Sequence, residues 1–415
     1  MKNRPFGLAI AIAGSIAVAA CSSSASSTTA SSSSSGAPAS TSGAPAGSSG
    51  APISLMTIGP VNSPQFSLPS IPVGAQVAVN EINAAGGIDG HKLQLITCND
   101  QNNPNTAAQC ARQAISGKVA AVVGGLEDFD LQIMPLLQQA GIPWIGLTTP
   151  DDYTSSNLFL LGGEGAPTFA GIGMALAQQG CKKIAVIVTA AGGAEKIGAE
   201  QIAAGVRAGG AQVAGTFTIP ATAVDLAPTV AAARSAGADC IGSGTSPAQS
   251  GPLITAVNAG PKLKLAFASG GLPNVVLQQL GKAANGVLAP AGYLPFTSTE
   301  GVVPQLKQKL QAQYPTVPLD QFAQSGYASV QAVAQAAKGL QNVTGPSLES
   351  ALTKLTAFDT GLGPVLDFSS PNSITGFPRL FNPKVFIWVA KNGNYYLEQP
   401  QPIDTTPALK LLSAQ

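Results

Sequence analysis

The chain has 415 residues, a formal net charge of +1 and only 10% charged residues. That length allows two or three domains with full-sized cores. The charge balance excludes the concentrated basic surface that a nucleic-acid partner calls for, and 5% aromatic residues leave little for base-stacking platforms.

The first twenty-one residues form a separate object. Lys2 and Arg4 make a short basic head, and Phe6 to Val18 is an apolar run too short for a comfortable membrane span. The run ends in "VAAC", small residues followed by Cys21. This resembles the lipobox of bacterial lipoproteins, which implies cleavage before Cys21 and lipidation of its sulfur. Residues 22–50 are Ser, Thr, Ala, Gly and Pro only. Such a stretch cannot bury enough surface to offset chain entropy, so it reads as a disordered tether reaching ~30 Å.

From residue 53 strand and helix signals alternate. "ISLMTIG" (53–59) is a buried strand. Val73, Val77, Ala78, Ile82 and Ala85 mark one face of a helix that ends at Gly86-Gly87. "KLQLITC" is the next strand, and "NPNTAAQCARQAI" opens a helix with Asn103 as N-cap and Pro104 in the first turn. Further strands are expected at 119–124, 143–147, 183–189, 212–219, 239–243, 263–267 and 286–289. Helices are expected at 167–179, 194–208, 225–236 and 273–280. The strands are continuously apolar, as when both faces of a parallel sheet are covered. "FIWVAKNGNYYL" (386–397) is two strands about Asn392-Gly393, a type I′ hairpin signal.

Residues 74–125 contain "NEINAAGGIDGHKLQLITCND" and "VAAVVGG". They resemble the first lobe of type I periplasmic solute-binding proteins of the leucine/isoleucine/valine-binding family. Asn83, Gly86, Gly87, Gly90, Lys92 and Asp100 match its pattern. "FAQSGYASVQAVAQAAK" (322–338) is similar to the family's long helix opening with a Tyr, and "LGPVLDF" with "FIWVAKNGNYY" to its closing segment. The resemblance implies two Rossmann-like lobes, each with a parallel sheet in 2-1-3-4-5 order, joined by three crossovers near 164–168, 294–298 and 360–366, with a ligand cleft between them. The division is then 1–20 signal peptide, 21–52 lipidated Cys and tether, 53–165 plus 298–362 first lobe, 166–297 plus 363–400 second lobe, and 401–415 C-terminal tail.

The same resemblance implies a monomeric solute receptor, not an enzyme. It would be tethered by lipid to the outer face of the cytoplasmic membrane and would serve an ABC permease, with no cofactor, metal or nucleic acid. A ligand-sensing lipoprotein reporting to another membrane partner has the same sequence signature. No G-x-G-x-x-G after a strand, Walker A loop or G-x-S-x-G elbow occurs. His91, the single histidine, reads as a solvated surface residue.

Ligands in open parallel sheets bind beyond the strands' carboxyl ends. The loops so placed are 60–68, 126–130 and 148–153 in the first lobe, and 190–193, 244–249 and 268–272 in the second. Candidate ligand-binding residues are Phe66, Glu127, Asp128, Phe129, Thr148, Thr149, Tyr153, Gly192, Ser246, Ser269 and Gly270. Amino-acid binders of the family usually carry small hydroxyl residues where Glu127–Asp130 stand, and an acidic residue where Ser269 stands. The solute is then a small polar one, an amino acid or a related amide or amine, and the departures point away from a branched-chain amino acid. Glu127 and Asp128 either meet a cationic or polyhydroxy group or cap the helix beginning near Leu131.

With Cys21 lipidated, Cys98, Cys110, Cys181 and Cys240 remain in an oxidising compartment, where disulfides are the default. Cys98 ends the second strand and Cys110 lies in the helix that follows, so a 98–110 bridge is expected. Cys181 and Cys240 lie at the amino ends of two strands that are neighbours in a 2-1-3-4-5 sheet. Adjacent strands lie within disulfide reach, so a 181–240 bridge is expected as well.

Overall fold

The computed structural model describes residues 50–63, 67–126, 129–147, 152–191 and 193–414. The expected signal peptide, Cys21 and nearly all of the expected tether, residues 1–49, lie outside the described residues. Among the described residues no helix is long and apolar enough to cross a membrane.

The first lobe begins with β1 (Ile53–Gly59), α1 (Ser70–Ala84), β2 (Leu93–Asn99) and α2 (Pro104–Ser116). It continues with β3 (Ala121–Val123), α3 (Asp130–Gln139), β4 (Trp144–Gly146) and β5 (Leu158–Leu160). Its sheet is parallel, in the order β2-β1-β3-β4-β5. The 2-1-3-4-5 order implied by the resemblance is therefore present. The fifth strand has no periodic signal of its own, because three residues are too few; pairing of Ile145 with Phe159 and of Gly146 with Leu160 creates it.

The second lobe runs α4 (Ala166–Gln178), β6 (Lys183–Thr189), α5 (Ala194–Ala208), β7 (Gln212–Ile219), α6 (Ala227–Ser235) and β8 (Cys240–Gly244). Then come α7 (Pro247–Asn258), β9 (Lys264–Phe267), α8 (Asn274–Leu280) and β10 (Leu288–Ala291). The chain returns to the first lobe for α9 (Val303–Gln313), α10 (Gln321–Ala337) and α11 (Gly345–Leu352), with α9 and α10 lying against α1. It re-enters the second for β11 (Lys384–Lys391), β12 (Asn394–Leu397), β13 (Ile403–Asp404) and α12 (Thr406–Ser413). The second sheet repeats the first, β7-β6-β8-β9-β10, and β11 and β12 extend it antiparallel. Asn392 (φ 52°) and Gly393 (φ 79°) close the β11–β12 hairpin with two positive φ values, the type I′ signature.

The chain after 400 does more than trail. β13 pairs with β11, and α12 packs on α5 and α4. Grouping by sequence puts 363–400 in the second lobe; in the structure Ile374, Phe377 and Leu380 instead enter the first lobe's core. Phe368 and Phe381 stack around Phe159 of β5. A three-residue edge strand leaves apolar surface open, and this returning segment covers it.

The joint after α1 shows why its glycines are there. Gly86 and Gly87 have φ of 109° and 88°, and a Cβ at Gly87 would meet the His91 carbonyl oxygen at 2.2 Å. Asp89 and Gly90, at φ 48° and 86°, make a tight reversal in which Ile88 and His91 exchange backbone hydrogen bonds. The Asn83 side chain accepts from Leu93 N at 2.8 Å and donates to Leu93 O at 2.9 Å, pinning the start of β2 to the end of α1. Lys92 donates to the Asn83 carbonyl. The family-matching residues here hold scaffold. His91 sits at the surface with Nδ1 2.8 Å from Ala51 O.

Asn103 caps α2 as expected, accepting from Asn105 N and Thr106 N. Both disulfides form: Cys98–Cys110 with Cα atoms 5.8 Å apart and Cys181–Cys240 with 6.0 Å. The second joins β6 and β8, where Ile184 pairs with Cys240.

Candidate functional site

The carboxyl ends of the two sheets face one another, and a cavity of about 820 Å³ lies between them. Its first-lobe wall is Ser67–Ser70, entering α1, and Pro318–Phe322, entering α10. Its second-lobe wall combines Ala221 after β7, Ser246–Ala248 after β8, and Ser269, Gly270 and Pro273–Val275 after β9. Trp388 of β11 also contributes. The volume is in the range of sites for small organic ligands.

Local chemistry fixes the walls. Asp320 caps α10 through Oδ1, which accepts from Phe322 N and Ala323 N, while its Oδ2 accepts from Ser70 Oγ at 3.1 Å. One carboxylate thus ties the starts of two first-lobe helices. Burial pushes this carboxyl up to about 6, and the Ala323 N–H, the Ser70 hydroxyl and the Phe322 N–H hold it back. Gln249, buried inside α7, does the equivalent work in the second lobe. It accepts from Thr189 at the end of β6 and from Ser246 Oγ at 3.2 Å, and it donates to the carbonyls of Pro220 and Ala223 after β7. Ser246 N in turn donates to Thr189 Oγ1 at 2.9 Å. Three loops are locked by one amide. Glu195 holds the loop after β6 from its other end, accepting from Ala191 N and Gly193 N, and these N–H groups lower its pKa.

Two contacts cross between the lobes here. Asn274 Nδ2 donates to the Leu319 carbonyl. The Phe322 ring, clustered with Leu68, Ile71 and Leu147, abuts Gly270 so closely that a Cβ there would lie 3.2 Å from it. α1 and α7 both begin at the cavity without a side-chain cap; Pro72 and Pro247 carry no N–H, and Ile71 N and Gln249 N donate to the Leu68 and Ser246 carbonyls, which leaves Ser70 N and Ala248 N for an acceptor. Ser269 Oγ and Gln321 Oε1, on opposite walls, are buried without a hydrogen-bond partner. Among the described lining residues none is cationic, and Asp320 is the single ionisable one.

This architecture is that of a known family. The family model for periplasmic binding proteins matches residues 53–375. The chain belongs to the periplasmic binding protein family. A curated relative of this binding protein is the Leu/Ile/Val-binding protein homolog 3 of Brucella melitensis, 27% identical over 344 residues, covering 77% of this chain and 89% of the relative. Among solved structures it superposes on a branched chain amino acid ABC transporter from Thermus thermophilus with bound valine (TM-score 0.74, 16% identity, 86% and 98% of the two chains). It also superposes on a fatty acid ABC transporter substrate-binding protein from Thermomonospora curvata (TM-score 0.72, 16% identity, 86% and 94%). At these identities the two structures speak to fold alone.

Of the residues singled out from sequence, Ser246, Ser269 and Gly270 stand on the cavity wall of the binding protein. Phe129 precedes α3 and packs on the first lobe's core. Tyr153 is buried against Phe377 at 4.9 Å, and its hydroxyl accepts from Ala166 N at 2.6 Å. Phe66, Glu127, Asp128, Thr148, Thr149 and Gly192 lie outside the described residues. Leu68 closes the loop 60–68 that the sequence places at the cleft, whereas sequence reasoning passes over Ser70, Asp320, Gln321, Phe322 and Trp388. Asp320 carried a readable signal, an acidic N-cap before the Tyr helix; its place at the cavity depends on packing against α1. One group of potential metal ligands occurs among the described residues, Cys181, Asp239 and Cys240. Both of its sulfurs are spent in the disulfide.

Proposed function

We propose that this chain is an extracytoplasmic solute receptor, anchored through Cys21, that binds a small solute between its lobes and delivers it to an ABC-type importer. The observation that carries the reading is the cavity itself, walled on one side by the segment after β1 and the entry to α10 and on the other by the loops after β7, β8 and β9. A ligand touching both walls stabilises the joined arrangement by its differential affinity.

The wall chemistry narrows the solute. Leu68, Pro69, Pro247, Val275, Phe322 and Trp388 supply apolar surface, while α1, α7, Ser269 and Gln321 supply hydrogen-bonding groups. Leu131, Val224 and Val275, among the most exposed apolar side chains at 87%, 84% and 60%, stand on the same carboxyl-end rims. This favours an amino acid or related amide or amine with an apolar body over a sugar. The Leu/Ile/Val binding named for the Brucella relative supports the class.

A panel of leucine, phenylalanine, their amides, putrescine, octanoate and glucose, followed by thermal shift and tryptophan fluorescence, tests the reading. A true ligand at 100 times its Kd adds about 2.7 kcal/mol of stability, and Phe322→Ala should weaken it tenfold or more. The cleft reading fails if Phe322→Ala and Ser269→Ala leave the affinity of every binder unchanged. Anchoring is tested separately: Cys21→Ala expressed in a bacterial host should leave the membrane fraction or keep its signal uncleaved. Normal cleavage with unchanged membrane fractionation would refute it.

A further inference from the structure

Three stretches carry the chain between lobes: 161–165 from β5 to α4, 292–302 from β10 to α9, and the segment following α11. Near the cleft they touch. Leu294 N donates to Leu362 O at 2.8 Å, joining the second stretch to the third. Gln324 of α10 donates to Leu294 O at 2.8 Å. The Glu164 side chain lies inside this joint. A Cβ on Gly162 would come within 2.1 Å of its Oε2, and one on Gly292 within 2.6 Å of its Oε1. The carboxyl therefore occupies space that side chains at 162 and 292 would take, wedged between the first two stretches.

The joint is also poorly satisfied. Glu164 Oε1 and Gln324 Oε1 are buried without a hydrogen-bond partner, and the buried Tyr293 and Ser325 hydroxyls have only each other. Buried polar atoms are ordinarily paired, and each unpaired one is costly. These four groups fall on the first two crossover stretches and on α10. They are also complementary: a carboxylate needs donors, and the Tyr293 hydroxyl, engaged only with Ser325, is one.

The geometry points to Glu164 as a proton-controlled hinge catch: protonated, it stays neutral in the wedge between Gly162 and Gly292; ionised, it draws the Tyr293 hydroxyl from Ser325 onto itself, locking the first two crossovers together and resetting the angle between the lobes. Burial pushes the Glu164 carboxyl up to about 8 against the pull of its own backbone N–H, and burial, then the Glu164 charge, raise the Tyr293 hydroxyl well above its ordinary range against the Ser325 hydroxyl. The groups around it are otherwise neutral. The Tyr153 hydroxyl donates to the Glu164 carbonyl and accepts from the Ala166 N–H, and Thr168 Oγ1 donates to Gly163 O. From β11 it is the Lys384 carbonyl that faces Gly163, the residue itself being exposed. No cationic side chain among the described residues contributes to the Glu164 shift.

The effect on solute binding rests on the cleft reading, so the test uses ligand-free protein. Trp388 is a built-in reporter, since its indole Nε1 donates to Tyr293 O at 2.9 Å. Tryptophan fluorescence and the small-angle scattering radius of gyration are followed from pH 6 to 9.5, with far-UV circular dichroism confirming the fold. Both signals should change together with a one-proton midpoint in the mildly alkaline range. Glu164→Gln should be flat, and Tyr293→Phe, which removes a donor to the carboxylate, should move the midpoint to higher pH. Should Glu164→Gln fail to fold, the displacement in Tyr293→Phe decides alone. A flat wild-type profile, a transition retained in Glu164→Gln, or an unmoved midpoint in Tyr293→Phe overturns the catch. None of these results bears on whether the cleft binds solute, and an empty ligand screen would leave the hinge result standing.

Discussion

Replacing both Cys181 and Cys240 by serine should destabilise the folded protein by about 4 kcal/mol in the chain-entropy account of disulfides. The bridge closes a sequence separation of 59 residues, and the loop it removes from the unfolded ensemble is correspondingly large. The Cys98–Cys110 bridge spans 12 residues, so the same change there should cost less, about 3 kcal/mol. The 181–240 bridge holds β6 to β8 at their amino ends, whereas the cavity lies past the carboxyl ends of those strands. The double variant should therefore lose stability and keep its ligand-induced thermal shift. Urea unfolding of wild type and variant, each with and without the best ligand of the panel, checks both halves. An unchanged midpoint would mean that the bridge contributes nothing, and a lost ligand shift would mean that its end of the sheet is coupled to the cleft.

The second large effect is a fall of stability with rising pH that Glu164→Gln removes. The carboxyl is raised from 4.5 to about 8 in the folded chain. Below pH 4.5 it is protonated in both folded and unfolded chains and contributes no slope. Between 4.5 and 8 the unfolded chain releases the proton while the folded chain keeps it. The unfolded state then binds fewer protons, so stability drops by at most about 1.4 kcal/mol per pH unit, several kcal/mol across the window on an order-of-magnitude scale. Above pH 8 the slope vanishes again. The amide has the same shape and no charge, so Glu164→Gln should match wild type near pH 4.5 and exceed it most at pH 8 and above. Chemical denaturation at half-unit steps gives the two curves. Parallel curves would show that Glu164 is not the group responsible.

Much of the fold was legible because its determinants are local. A helix face needs apolar residues three and four apart, a cap needs one oxygen two or three residues before the amides it accepts, and a type I′ turn needs two residues tolerant of positive φ. Asn103, Asn392-Gly393 and the Gly86-Gly87 stop all work within a few residues, and each behaves as read. The Cys98–Cys110 pair followed from a strand and the helix after it, and the Cys181–Cys240 pair from the strand order that the family resemblance implied. Strand ends were less legible: β10 begins two residues later than the apolar pattern suggests, because its extent is decided by pairing with β9 and β11.

The site was only partly readable. Ser246, Ser269 and Gly270 were found because they follow strand ends. Trp388 was read as a hairpin residue, yet it reaches the cavity from a strand added antiparallel to the second sheet. Sequence alone determined the alternation of elements, their caps and turns, the four bridging cysteines and the family. Tertiary structure decided what no short window contains: Asp320 holding Ser70 across 250 residues, Gln249 gathering three loops, and Glu164 wedged against Gly292. Hydrogen bonds and burial at a site depend on distances between segments far apart in the chain, and those distances exist only once both sheets have closed on their helices.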